Sequence, residues 1–256
     1  MFGIVKAEML KSFRRKGFFL LLAIAFLPVL YLICTFAEVS YIIDLIVIEN
    51  GFFNFFVQNV RLSCELLLFP VMIALSAIHI QRGEIDSRSI RFYLQRVGKR
   101  SSIYFAKHIT IVISILLVCL LLFISCWMCF CVIRSHQSGV DMLDCSGTNG
   151  NFLEVALLIS LLSYLTMIVF IAFTISTIFN VEVATGIIIL IIVLLACIKE
   201  IPILQLLTPI FYMQQLSSNT GIFTMGQSAL MALVLPIFTC PVAYRIGCRK
   251  FSKYDI

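Results

Sequence analysis

Between Ile109 and Ile133 the chain runs for 25 residues without a single charged side chain. At ~1.5 Å per residue a helix of that length spans roughly 38 Å, more than the ~30 Å hydrocarbon core of a bilayer. In lipid every backbone N–H and C=O must be satisfied within its own segment, so such a run has to be helical. Comparable apolar runs cover Gly17–Ala37, Leu62–Ile80, Phe152–Phe179, Ala184–Ile198 and Ile222–Tyr244. Only 12% of the residues are charged, against about a quarter in a soluble domain. These observations exclude a soluble enzyme and predict an all-α, polytopic integral membrane protein with six transmembrane helices.

The cations fix its expected orientation. Sixteen of the nineteen Lys and Arg fall in three places: the N-terminal segment, the Gln81–His108 interruption and the C-terminal tail. The other three, Arg61, Arg134 and Lys199, belong to the opposite side. The positive-inside rule then makes both termini cytoplasmic, which an odd number of spans would not allow. Because the net charge of +6 is divided among these segments, it is no sign of nucleic-acid binding. The first apolar run is longer than a signal-peptide core of roughly 7–15 residues, and no small-x-small cleavage site follows it. It is expected to stay as an anchor.

Residues 1–16 have helical spacing, with Phe2, Val5, Met9 and Phe13 on one side and Glu8, Lys11, Arg14 and Arg15 on the other. This predicts an amphipathic interfacial helix with its apolar face in the lipid. Pro28 is expected to kink span one. NGFFNFFVQNV, before span two, suits an interfacial element. Only Asn180–Val183 separate spans four and five, which predicts a tight hairpin. Residues 199–221 are apolar but broken by Pro202, Pro209 and several amides, and suit a re-entrant segment of short helices on the outer side.

Gln81–His108 is the longest interruption rich in Arg and Lys. Within it Ile90, Tyr93, Leu94 and Val97 recur at i, i+3, i+4 and i+7, a narrow apolar edge with Arg88, Arg91 and Arg96 on other faces. Asp86 or Ser87 can cap such a helix and Gly98 can end it. One use is to insert that edge into a groove on a partner, with arginines pairing carboxylates at the rim. The other is to rest on anionic lipid.

Among other candidates, Glu65 lies inside span two with Arg61 one turn before it. The pair is either a boundary anchor or a part of the transport route. Cys126, Cys129 and Cys131 have no His or carboxylate at ligand spacing and are expected to pack as small apolar groups, so no metal site is predicted. Ser160, Ser163, Tyr164, Thr174 and Thr177 form a loose polar stripe suited to bonding between helices. His79 and His108, flanking the basic interruption, are expected as interfacial anchors, and Glu182 as a solvated turn residue. No nucleophile–base pair or paired catalytic carboxylates occur. Nor does a P-loop: Gly98-Lys99-Arg100-Ser101 ends like one, but Tyr93 replaces its first glycine and Arg100 its Ser/Thr.

The chain resembles the permease subunits of ABC-2-type transporters. The resemblance is carried by KAEMLKSFRRKG running into span one and by RGEIDSRSIRFYLQRVGKRSSIYFAKH between spans two and three. The six spans and the broken apolar segment before the last of them complete it. It implies that Arg88, Ile90, Arg91, Tyr93, Leu94 and Val97 belong to a cytoplasmic coupling helix that docks on a separate cytosolic ATPase subunit. ATP and Mg would be bound by that partner, with no cofactor in this chain. It further implies a homodimer or a pair with a second related permease, in the plasma membrane of a bacterium. The size is similar to that of lantibiotic and bacteriocin self-protection exporters, which makes a peptide the first expectation for cargo. Drug, lipid or ion efflux, or a non-transporting scaffold or sensor whose basic loop binds lipid, are the alternatives.

Overall fold

A computed structural model describes residues 2–37, 51–86, 100–136, 150–199, 208–212 and 225–252, together with Ile201 and Gln205. No strand occurs among the described residues. The helices are α1 (Phe2–Phe13), α2 (Lys16–Ala23), α3 (Leu27–Phe36), α4 (Phe52–Glu65), α5 (Leu68–Asp86), α6 (Arg100–His136), α7 (Gly150–Ile178), α8 (Val181–Ile198) and α9 (Met225–Ser252). Five stretches are long and apolar enough to cross a membrane: Gly17–Cys34, Arg100–Ile133, Glu154–Ile178, Val181–Ile198 and Gln227–Ser252. The α4–α5 pair, bent by 65°, makes a sixth if it is counted as one span.

Two prolines explain where the helices break. A proline ring crowds the carbonyl four residues before it. For Pro28 that is Ile24, and the helix tightens into a 3₁₀ turn at Ile24–Phe26 between α2 and α3. The distortion thus lies one turn before the proline itself. For Pro70 the crowded carbonyl is that of Leu66, and the helix breaks there instead of running straight through span two. Pro70 falls in the first turn of α5, where a missing N–H leaves no bond unmade. The chain turns at Leu67, whose φ of 59° lies in the left-handed region. That conformation costs a non-glycine residue roughly 1–2 kcal/mol, so neighbouring contacts must hold it. Leu67 packs against the central core.

The Phe-rich stretch expected at the interface is helix α4, turned into the protein. Phe52 meets Phe123 at 4.9 Å, Trp127 at 4.8 Å and Phe130 at 5.7 Å between ring centroids, all edge-on. Phe55 and Phe56 are buried. At the centre of the bundle is α7, packed on α9, α5, α4 and α8. Most of its stripe of hydroxyls bonds back to α7's own carbonyls: Ser160 to Ala156, Ser163 to Ser160 and Thr177 to Thr174. Thr174 also reaches α9, donating to the Ala243 carbonyl at 2.8 Å. Nearby, Gly247 lets α9 pass so close to α6 that a Cβ there would overlap the Tyr104 hydroxyl and lie 2.9 Å from its Cζ.

The basic interruption is shorter as a loop than its composition suggests. Gln81–Asp86 continues α5 as helix, and Arg100–His108 begins α6. The span-two apolar run ends at Ile80, so the last turn and a half of α5 projects beyond it. Helix α9 likewise continues past Tyr244 to Ser252, carrying Arg245, Arg249 and Lys250 on helix.

Candidate functional site

The two helical ends of the interruption carry opposite charges, and the fold joins them. From α5, Glu84 accepts a hydrogen bond from Lys107 of α6, with Nζ 2.7 Å from Oε2. Its other oxygen takes Arg15 Nη2 at 2.5 Å and Lys11 Nζ at 3.2 Å. Lys107 is 0% exposed and also donates to the Ile80 carbonyl at 3.3 Å. Arg15 donates in addition to the His79 carbonyl at 3.3 Å, and Ser76 Oγ to the Gly17 carbonyl at 3.3 Å. One buried carboxylate thus collects three cations from α1, the α1–α2 turn and α6.

This arrangement turns inward the polar residues that adjoin the expected apolar face of α1, while Val5, Met9 and Phe13 of that face stay partly buried. The buried positions are Glu8 and Ser12, one turn apart, and the helix packs on α6. Lys6, Leu10 and Arg14 are exposed. The reason is electrostatic: a fully buried ammonium at position 107 needs carboxylates, and Glu84 and Glu8 converge on it. Glu8 completes the cluster through a 3.8 Å ion pair with Lys11, although its Oε1 has no hydrogen-bond partner.

Both acids stand outside the apolar runs and are shifted in opposite directions. Burial pushes the Glu84 carboxyl up, but Lys107 above all, then Lys11 and Arg15, outweigh it and hold it at about 2. Burial keeps Glu8 above the usual carboxylate range; Lys107, Lys11 and Arg15 oppose that push and Glu84 adds to it. Glu84 is therefore the charged centre of the cluster and Glu8 the poorly matched member.

More contacts gather at this end. Arg82 pairs with Asp86, Nε to Oδ1 2.8 Å, and donates from Nη2 to Oδ1 of Asn180, at 3.2 Å, in the α7–α8 turn. Arg100 donates to the Ser252 carbonyl at 3.0 Å. His108, expected at the interface, is instead buried, stacked on Phe173 at 4.3 Å with Tyr104 and Phe170 beside it. His79 is exposed. The start of the chain, both flanks of residues 87–99, the α7–α8 turn and the end of α9 therefore meet at one end of the bundle.

Arg88, Ile90, Arg91, Tyr93, Leu94 and Val97 lie outside the described residues. What is described is their mounting, since Asp86 and Arg100 bracket them. At the opposite end of the bundle, Arg61 Nε lies 2.8 Å from Glu65 Oε1. Both line a small cavity with Tyr164 and Lys199. Asn54 donates to Glu154 Oε1 there at 2.8 Å. Among the described residues no group of His, Cys, Asp and Glu could hold a metal. Cys126, Cys129 and Cys131 are free thiols.

No protein-family model matches the chain, and neither does any curated protein. A functional reading therefore rests on the residues and their geometry.

The ion cluster was open to sequence reasoning through helical phase. Ile103, Lys107 and Ile111 follow at i, i+4 and i+8, and so do Ser76, Ile80 and Glu84. A lysine and a glutamate each in line with buried residues, on consecutive helices, call for one another.

Proposed function

We propose that this chain is the membrane-spanning permease subunit of an ATP-driven exporter, powered by a separate cytosolic ATPase that binds ATP and Mg. In this reading α4 and α5 form one bent span, giving six, with both termini and residues 87–99 in the cytoplasm of a bacterial cell. The gathering of the chain's start, the flanks of 87–99 and the end of α9 at one end supports an even number of spans. Two subunits, identical or related, enclose the route, and the cargo is amphipathic, with a bacteriocin-like peptide foremost.

The observation that carries the reading is the Glu84 cluster. A segment that receives force from a motor must be fixed to the spans it is to move. Residues 87–99 leave α5 two positions after Glu84 and enter α6 seven positions before Lys107. The 2.7 Å contact between those two side chains ties the entry and exit together. Through Lys11 and Arg15 the same carboxylate holds α1 and the start of span one. A displacement of 87–99 is thereby delivered to three spans together. A basic loop that merely rests on lipid has no need of such a mount.

The test is co-purification of the ATPase with the chain. Replacing Tyr93 and Leu94 together by Asp places charges on the proposed docking edge and is expected to abolish the association, with the chain still inserted and folded. Unchanged association in the double variant removes the docking role and leaves the scaffold or sensor reading.

A further inference from the structure

A long crevice runs along the seam where span one packs on α6. Its walls extend from Leu22 to Leu32 on span one and from Leu121 to Val132 on α6. Phe26, Ile124 and Met128 at its rim are exposed, so it opens sideways from the bundle. Its origin lies in the sequence. Ahead of Pro28 the helix tightens into the 3₁₀ turn Ile24–Phe26, and Ala25, in the middle of that turn, offers the crevice only a methyl group.

Apart from Ser125 and Cys129 the side chains that line it are apolar. Both walls belong to stretches long and apolar enough to cross a membrane. Water is not held in an apolar cavity. Lipid tails are as apolar as leucine, so what favours a guest here is contact and not transfer from water. Walls that face a void forfeit dispersion contacts, and a close-fitting guest restores them. The section of the crevice selects that guest. From Leu121 to Val132 α6 rises ~16 Å. A volume of about 500 Å³ over that length gives a section of roughly 30 Å², against roughly 80–110 Å² for a helix 10–12 Å across. A helix of a second copy is too wide to enter, whereas a single unbranched hydrocarbon chain fits. We propose that the crevice binds one acyl chain of a membrane phospholipid, lodged between span one and α6 beside the 3₁₀ turn. The site is independent of the cargo and of the ATPase.

The test uses the full chain purified in a steroid-based detergent, whose fused rings cannot follow the crevice, and freed of lipid. Dioleoylphosphatidylcholine is then titrated in. The thermal midpoint is expected to rise and to saturate, with one phospholipid retained per chain in native mass spectrometry. Ser125→Leu and, separately, Val29→Phe place larger apolar side chains in the crevice. Each is expected to unfold at or above the lipid-free midpoint of the parent, because it fills the void. Each should also need roughly tenfold or more lipid for half-saturation, since chain and side chain compete for one space. A midpoint that ignores the lipid, a parent that retains none, or an equal response in both variants overturns the proposal. So does a lipid-free parent that is dimeric while either variant is monomeric, which would give the crevice to a second copy. If one variant does not fold, the other and the count of retained lipid decide the matter.

Discussion

Glu84→Gln is the most demanding perturbation of the buried cluster. The substitution keeps shape and removes one charge, leaving Lys107 0% exposed with the Ile80 carbonyl, a neutral amide and only the poorly matched Glu8 as a nearby acid. Breaking a buried pair from one side costs about 3–5 kcal/mol, because the remaining charge stays desolvated. Lys11 and Arg15, about a third exposed at 33% and 30%, can turn toward solvent and add little to that figure. The expected loss is therefore about 3–5 kcal/mol in reversible unfolding of the chain in mild detergent. Replacing both partners, Glu84→Leu with Lys107→Met, is expected to recover most of it, since a well-packed apolar pair of similar volume is often neutral. A double-mutant cycle reads the coupling directly. If Glu84→Gln stays within about 0.5 kcal/mol of the parent, a range ordinary for surface positions, Lys107 is not held by Glu84. The reasoning about the mount then fails. Acid gives a second check. Glu84 titrates at about 2 in the folded chain against an ordinary 4.5. Its contribution is thus complete above 4.5 and is lost as pH falls toward 2. Glu8, shifted upward, has the opposite sign: its contribution is present at low pH and is lost as pH rises through its folded value. Glu8→Gln should accordingly remove the gain in stability expected as pH falls toward 4.5, and leave the loss between 4.5 and 2 unchanged.

Two other contacts give direct tests. Gly247→Ala places a methyl group against the fully buried Tyr104 ring and is expected to destabilise by about 1–3 kcal/mol. Pairing it with Tyr104→Phe, which removes the overlapped hydroxyl, should restore part of the loss in the same thermal assay. At the break, Leu67→Ile keeps the atom count but puts a β-branched side chain at a φ of 59°. A loss of about 1–2 kcal/mol is expected there, while Leu67→Asn, which tolerates that conformation, should lose only the packing.

The long apolar helices were legible because a run such as Ile109–Ile133 leaves a backbone in lipid no other solution. The position of each break was legible only in part. The sequence names Pro28 and Pro70, but the distortion falls at the carbonyl the ring crowds, one turn earlier. The larger error concerned polarity. Gln81–Asp86 and Arg100–His108 read as loop because they are rich in charge, yet their apolar residues keep helical phase and both segments are helix. Hydrophobicity places Val5, Met9 and Phe13 of α1 on its partly buried side but does not foretell that Glu8 and Ser12 beside them are the buried positions, because what draws them inward is a buried ammonium on another helix. Composition within α1 carries no trace of Lys107.

The exposure of the partners orders the cluster. Lys107 is sealed and Glu84 nearly so, whereas the two α1-side cations are about a third exposed. The α5–α6 contact acts in a low effective dielectric and is little affected by salt; the contacts to Lys11 and Arg15 are partly screened. The tie between the two flanks of residues 87–99 is therefore the permanent part of the mount, and the attachment of α1 is the part that can yield. Glu8 weakens that attachment further, being a second buried acid whose Oε1 has no hydrogen-bond partner. If residues 87–99 take up force as proposed, α1 is expected to give way under load while α5 and α6 move as one, because the sealed Glu84–Lys107 pair and not the N-terminal helix joins the two flanks.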